Sequence, residues 1–256
     1  MAKRPGAREK TPRQTMPEQA PEVRRRNFDE VPLGYSQQQA QLEASRCLQC
    51  RKPSCVEGCP VSVDVPGFIA LINEGDLTSA IRHVWQKNAL PAECGRVCPQ
   101  DIQWEGLCVL GNKDSPVAIG NVDRYVADYE RHFGSGDLPR KAAPTGKRVA
   151  VVGSGPSGLT VAGDLIVKGH EVTVLEAFHK AGGVLVYGIP EFRLPKEIVA
   201  QEVHFLERLG VKLEVNQVVG RTVSLDELFE EGYDAIYLGV GAGLPRFLNV
   251  PGENLI

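Results

Sequence analysis

A helical unit followed by an α/β unit is the fold class this sequence predicts, and three observations predict it. All seven cysteines fall in two groups within residues 47–108. Short segments with apolar stripes and helix-capping residues surround them. From residue 147 a buried strand runs into the turn Gly153-Ser154-Gly155-Pro156-Ser157-Gly158 and then a helix, the order of a dinucleotide-binding βαβ unit.

The elements follow in chain order. Residues 1–30 carry eight Lys or Arg against three acids up to Arg26, with several prolines and few large apolar side chains, and read as a disordered basic tail. The run Arg24-Arg25-Arg26 has no apolar segment behind it and no interleaved aromatics, which argues against an export signal and against nucleic acid. Ser36 with Gln39 forms a capping box for a helix that delivers the chain to Cys47. Asp64 starts a second helix through Phe68, Ile69 and Ile72 that stops near Gly75. Asp76 starts a third with Ile81, Val84 and Trp85 on its apolar side, and Pro91 is expected to turn the chain toward Cys94. A helix over about 121–132 precedes a linker rich in Gly and Pro, residues 134–146, where a domain boundary is expected.

Cys47, Cys50 and Cys55 are spaced so that one loop can present three sulfurs, and thiolate is the ligand that iron-sulfur clusters use. Cys59-Pro60 and Cys98-Pro99 resemble the proline-followed cysteine of two-cluster ferredoxins, which ligates the other cluster. Cys94 and Cys108 complete the second group, so two interleaved 4Fe-4S clusters are expected. Zinc and disulfides are the competing readings. A zinc ribbon needs two Cys-x-x-Cys knuckles where one is present, and an odd number of cysteines without a secretory signal suits disulfides poorly.

In the second half, Gly153 makes the tight turn, Gly155 lets backbone approach a pyrophosphate, and Gly158 allows close helix-to-strand packing. Pro156 and Ser157 open the helix whose amides meet the phosphates. Glu176 ends the next strand, eighteen residues after Gly158, where a carboxylate accepts from ribose hydroxyls and repels a 2'-phosphate. FAD or NAD is therefore expected here ahead of NADP. The loop over 181–195, with Gly183, Val184 and Arg193, favours FAD, because its glycines admit close backbone approach and Arg193 suits a flavin or phosphate group. Ser224 and Glu227 form another capping box, and a strand over 233–240 leads to a glycine-rich exit, either a second ligand contact or a plain loop. His83, His132, His170, His179 and His204 are scattered, and no catalytic acid or base is assigned.

The 256 residues carry a formal charge of −3 and are 42 % hydrophobic, enough for two small domains, and no apolar run of eighteen residues is present. A cytoplasmic protein with no membrane or nucleic-acid partner is expected. The resulting fold class is α plus α/β: an N-terminal all-helical double iron-sulfur domain at 31–140, then a partial Rossmann-like FAD-binding domain at 147–256.

The runs Arg46-Cys47-Leu48-Gln49-Cys50 and Cys94-Gly95-Arg96-Val97-Cys98-Pro99-Gln100, with the 182–195 loop, resemble the small (beta) subunit of NADPH-dependent glutamate synthase. The same module is similar to the N-terminal part of dihydropyrimidine dehydrogenase and to the large subunit of electron-bifurcating NADH-dependent ferredoxin:NADP oxidoreductase. The resemblance covers about residues 31–256. It implies that Cys47, Cys50, Cys55 and Cys108 hold one 4Fe-4S cluster and that Cys59 and Cys98 contribute to a second. Where the family commonly has another cysteine, this chain has Trp104, whose indole nitrogen offers no lone pair to a metal. Cys59, Cys98, Asp123 and the nearby Cys94 are then the candidate ligands, with a three-iron cluster, a rearranged site using Cys94, or no second cluster as the alternatives.

The resemblance also implies an NADPH domain beyond Ile256, so that the chain is expected to be truncated before it. In the complete parent, electrons from NADPH pass through FAD to the clusters and on to the large catalytic subunit, or to another flavin or ferredoxin-type acceptor. The competing functions are a bifurcating reductase subunit, an electron-transfer and docking module without turnover of its own, and a zinc-stabilised interaction domain.

Overall fold

The structure, a computed structural model, describes residues 11–243, 247–253 and 255. After a short helix α1 (Pro21–Arg24), α2 (Gln37–Ala44) begins at the expected capping box: Ser36 Oγ accepts from Gln39 N at 3.3 Å and the Gln39 side chain accepts from Ser36 N at 3.0 Å. A single helical turn, α3 (Ser54–Glu57), lies among the first cysteines. Asp64 and Asp76 cap α4 (Val65–Glu74) and α5 (Leu77–Trp85), and Gly75 ends α4 in the left-handed region at φ 82°. α6 (Pro91–Val97) and the long α7 (Ile119–Phe133) complete the helical unit. Its core gathers Phe68, Ile69, Ile72, Ile81, Val84, Val122 and Val126.

Two expectations need correction. Pro91 does not turn the chain into a loop; it is the first residue of α6, which therefore carries Cys94 within a helix. Proline is well placed there because its missing N–H would have had no helical partner. The expected disordered tail, from Thr11 onward, is packed. Arg13 donates to Pro116 O and to Glu105, Gln14 N donates to Glu43 at 2.6 Å, and Glu18 bridges to Pro32. Arg13 lies against an acid and a carbonyl far along the chain, while Arg24 and Arg25 pair with Glu18 and Glu22 within the segment, which composition alone does not reveal. The first ten residues of that tail lie outside the described residues.

The α/β unit is a parallel four-stranded sheet of β1 (Arg148–Val152), β2 (Glu171–Leu175), β3 (Lys212–Glu214) and β4 (Ala235–Leu238), in the order β3-β2-β1-β4. α8 (Pro156–Val167) crosses from β1 to β2. The turn α9 (Val184–Tyr187), the helix α10 (Lys196–Arg208) and α11 (Leu225–Glu230) fill the remaining connections. All strand pairs are parallel, as crossover helices require. β1 and β2 are buried along four of five positions each, the pattern of central strands covered on both faces.

The two halves share core. Leu185, Leu194, Ile198 and Val199, from the loop after β2 and the start of α10, pack into the helical unit, and Leu90 packs into the α/β core. Trp85 of α5 stacks on Phe205 of α10 at 5.0 Å, and Glu202 of α10 accepts from Ala92 N of α6 at 3.2 Å. The expected linker runs along the surface of the α/β unit, with Ala142 N donating to Val167 O and Thr145 N to Gly169 O. Among the described residues no helix is long and apolar enough to cross a membrane.

Candidate functional site

The first cysteine group is assembled from two distant stretches of chain. Cys47 follows α2, Cys50 and Cys55 flank the segment into α3, and Cys108 lies between two short turns sixty residues on. They line one small cavity with Val65, Ile69, Val117 and Ile119. Burial raises the Cys47 thiol, with Cys108 and Cys50 adding to it. Burial likewise pushes Cys55 up to about 11, with Cys47, Cys108 and Cys50 as its charged neighbours. Cys47 and Cys55 thus resist ionisation in this apolar pocket, and iron binding would relieve that resistance because the metal takes the thiolate form.

A buried ion-pair network draws these stretches together. Arg46, next to Cys47, donates to Ser115 O at 2.6 Å and to Pro116 O at 3.0 Å, both just past Cys108, and pairs with Glu43 at 2.6 Å. Glu43 also accepts from Ala118 N at 2.8 Å and Gln14 N, while Glu105 accepts from Gly120 N at 3.0 Å and from Arg13 at 2.7 Å. Each charge is paired and its remaining valences are hydrogen-bonded, the condition under which buried ions are tolerated.

The second group lies where α6 meets α7. The interaction between the two thiols, together with burial, raises Cys94, and the same interaction lowers Cys98 against the effect of burial; Cys94 Sγ also donates to Asn88 Oδ1 at 3.6 Å. A methyl on Gly95 would stand 2.6 Å from the Arg124 backbone, so the two helices touch main chain to main chain at Asp123-Arg124. Asp123 is fully buried, neither carboxylate oxygen has a hydrogen-bond partner, and burial with the neighbouring Cys98 raises it well above the usual carboxylate range. Trp104 is buried with its indole N–H unpartnered, and its backbone lies against Gly58 beside the buried Cys59. Buried polar groups without partners are uncommon in folded proteins, and the Asp123 oxygens mark where a bound group would supply the missing contacts. Among the described residues no three His, Cys, Asp or Glu converge on a single ion. Ligands of a cube stand apart at its corners, whereas one zinc needs four ligands at about 2.0–2.3 Å around a point.

The glycine cradle of the α/β unit fits a dinucleotide. Gly153 adopts φ 98° at the end of β1, and a side chain there would strike Gly239 O at the exit of β4. Gly158 packs against Gly153 O so closely that no side chain fits, while the space over Gly155 is open. Gly155 caps α8 and Pro156 occupies its first turn, so the free helix amides face that space. Ser157 Oγ is 2.6 Å from Tyr237 OH. Glu176 directly follows β2, beside this turn. It accepts from Ser154 N at 2.9 Å, from the Ser154 hydroxyl, and from Phe178 N at 2.8 Å. Oε2 takes both Ser154 bonds and Oε1 the one from Phe178, so a lone pair remains on Oε1 for a ribose hydroxyl while Oε2 locks the turn to β2.

Gly183, at φ 51°, leans on Gly155, where a Cβ would stand 2.8 Å from the Gly155 Cα. The expected flavin loop therefore lies over the cradle, with Val184 and Arg193 exposed beside it. Lys196 was not anticipated from the sequence. Its ammonium donates to the carbonyls of Leu185, Ile189 and Leu194 and so gathers the loop around one cation. A Lys directly after Pro195 at a helix start was the available signal. Of the histidines, His179 reaches this region, 3.3 Å from Tyr187 OH; His83, His170 and His204 pair with Asp64, Thr145 and Glu207 elsewhere.

Residues 24–135 match a protein family described as dihydropyrimidine dehydrogenase domain II, 4Fe-4S cluster. The chain is 39 % identical over 225 residues to the glutamate synthase [NADPH] small chain of Escherichia coli (strain K12), covering 88 % of this chain and 48 % of that one. It is 37 % identical to the corresponding small chain of Halomonas elongata, covering 93 % and 51 %. It is also 35 % identical to the NAD-dependent dihydropyrimidine dehydrogenase subunit PreT of Escherichia coli, covering 86 % and 54 %. The chain thus spans about half the length of these relatives. Similarity to them runs through both halves of the fold. The chain is thus similar to the glutamate synthase small chain and to PreT, and its residues 24–135 match the 4Fe-4S cluster domain family of dihydropyrimidine dehydrogenase.

Proposed function

We propose that the chain is the electron-input part of a glutamate synthase-like oxidoreductase, with a cluster-binding unit at 31–140 and an FAD-binding unit at 147–256. The carrying observation is the shared core. Leu185 and Leu194 of the loop over the glycine cradle pack into the same cluster of side chains as Cys59 and Trp104, with Cys47, Cys55 and Cys108 against it. A flavin in the cradle and clusters in the cysteine sites would therefore be held by one packed body, which fixes the distance that electrons travel.

The bound groups carry the electron chemistry and the protein supplies position and electronics. Gly153, Gly155 and Gly158 admit the pyrophosphate, Glu176 takes the ribose, and Lys196 holds the loop around the ring system. The cysteines hold iron, and the apolar cavity walls exclude water from it. NADPH as the electron source, a large flavin subunit as the acceptor and a cytoplasmic setting extend this reading from the small-chain relatives.

Anaerobic dithionite reduction of the purified protein is the test. A 4Fe-4S electron paramagnetic resonance (EPR) signal together with a bleached flavin supports the reading, and a colourless zinc protein contradicts it. A second reading is an electron-transfer module without nicotinamide turnover. NADPH-driven dye reduction by the protein separates the two.

A further inference from the structure

The meeting of α6 and α7 contains more unsatisfied chemistry than a structural contact requires. Cys94 and Cys98 sit one helical turn apart, Cys94 Sγ donates to Asn88 Oδ1 at 3.6 Å, and both thiols interact electrostatically with Asp123. Gly95 is what permits this. With any side chain there, α6 would be pushed off the Asp123-Arg124 backbone and the thiols away from the carboxylate. Asp123 is 0 % exposed with both oxygens unpartnered, although Arg124 beside it is engaged with Glu30 and Asp128. Among the described residues no cation pairs with it. A buried carboxyl group with neither oxygen hydrogen-bonded is disfavoured, and a positively charged centre at this place would supply the partner it lacks. Cys59 and Trp104, whose N–H has no partner, belong to the same core as Val122, the neighbour of Asp123 in the chain.

Soft thiolates together with one carboxylate suit iron better than a hard cation such as calcium or magnesium. We propose that Cys94 is an iron ligand, completing with Cys59, Cys98 and Asp123 a second iron-sulfur site of three thiolates and one carboxylate. Trp104 does not ligate; it fills a corner and offers its N–H to a sulfide or thiolate. This rests on the reading of residues 24–135 as an iron-sulfur unit. It assigns to Cys94 a function that the first cysteine group neither needs nor explains.

The test uses the whole protein, reconstituted anaerobically with ferrous iron and sulfide, as wild type, Cys94→Ala, Cys94→Ser and Cys50→Ala. Iron, acid-labile sulfide, reduced EPR spectra and far-UV circular dichroism are read on each. Wild type should hold about eight irons and Cys94→Ala about four, with the signal of the Cys47 site retained. Cys50→Ala should lose the other set. Cys94→Ser, which keeps an oxygen donor, should shift the EPR signal of the second site, and this decides the matter if Cys94→Ala does not fold. Equal iron in wild type and Cys94→Ala, or an unshifted Cys94→Ser spectrum, overturns the assignment while the iron-sulfur reading stands. Wild type without iron and sulfide overturns both.

Discussion

The glycine cradle and the cysteine sites solve the problem of holding a cofactor in opposite ways. The cradle is local: one strand, one turn and one helix within residues 148–167 fix its geometry, and the working surface is backbone. The cysteine sites are assembled. Cys108 reaches Cys47 because Arg46 and Glu43 bind carbonyls and an amide at 115–118, and Cys94 reaches Asp123 because Gly95 lets two helices touch. A local site tolerates change elsewhere and fails on a change of one atom within it. An assembled site fails when distant packing fails.

The sharpest way to separate the two is Gly158→Val. The new side chain would collide with Gly153 O and Val151, forcing α8 away from β1. Flavin binding should be abolished, while iron and sulfide per chain stay at the wild-type level by metal analysis. Loss of iron along with flavin would show that the sites are not separable.

Arg46→Ala tests the other side. It leaves Glu43 buried with its main charge partner gone, a change that costs on the order of 3–5 kcal/mol. The midpoint of chemical denaturation should fall accordingly, and iron retention should fall more than flavin retention because the Cys47 and Cys108 segments lose their tie.

A smaller, pH-dependent effect belongs to the contact between the two units. Burial raises Glu202 well above the usual range, and Glu93 beside it adds to the shift. The folded state thus holds the proton more tightly than the unfolded chain, whose Glu titrates at about 4.3. This stabilisation is complete below that value and is lost as pH rises through the raised folded value. The melting temperature should therefore decline with rising pH in wild type and flatten in Glu202→Gln. Parallel pH profiles would remove Glu202 from the account.

Ser36→Ala should give the smallest change. It deletes the N-cap of α2 and should cost about 1 kcal/mol by denaturant titration, without altering either cofactor.

The same contrast explains what could be read before folding. The strand, the glycine turn, Glu176 and the capping residues Ser36, Asp64, Asp76 and Ser224 were legible because each acts within a few residues of itself. The second cysteine group was legible as chemistry but not as geometry. Pro91 looked like a turn because proline breaks helices in their interior, and only its position at the first helical residue makes it compatible with α6. The segment from Thr11 looked disordered because its partners, Glu43, Glu105 and Pro116, lie far along the chain. Lys196 and the short strand β3 went unread for the same reason: one acts on three carbonyls of a preceding loop, and the other is defined by its pairing with β2.

The measurement that bears most directly on the central claim is the ratio of iron, acid-labile sulfide and flavin to polypeptide in anaerobically purified protein. The account predicts about eight irons, about eight sulfides and about one flavin per chain, two clusters and a flavin in one packed body. Zinc in place of iron, with no sulfide, would contradict it.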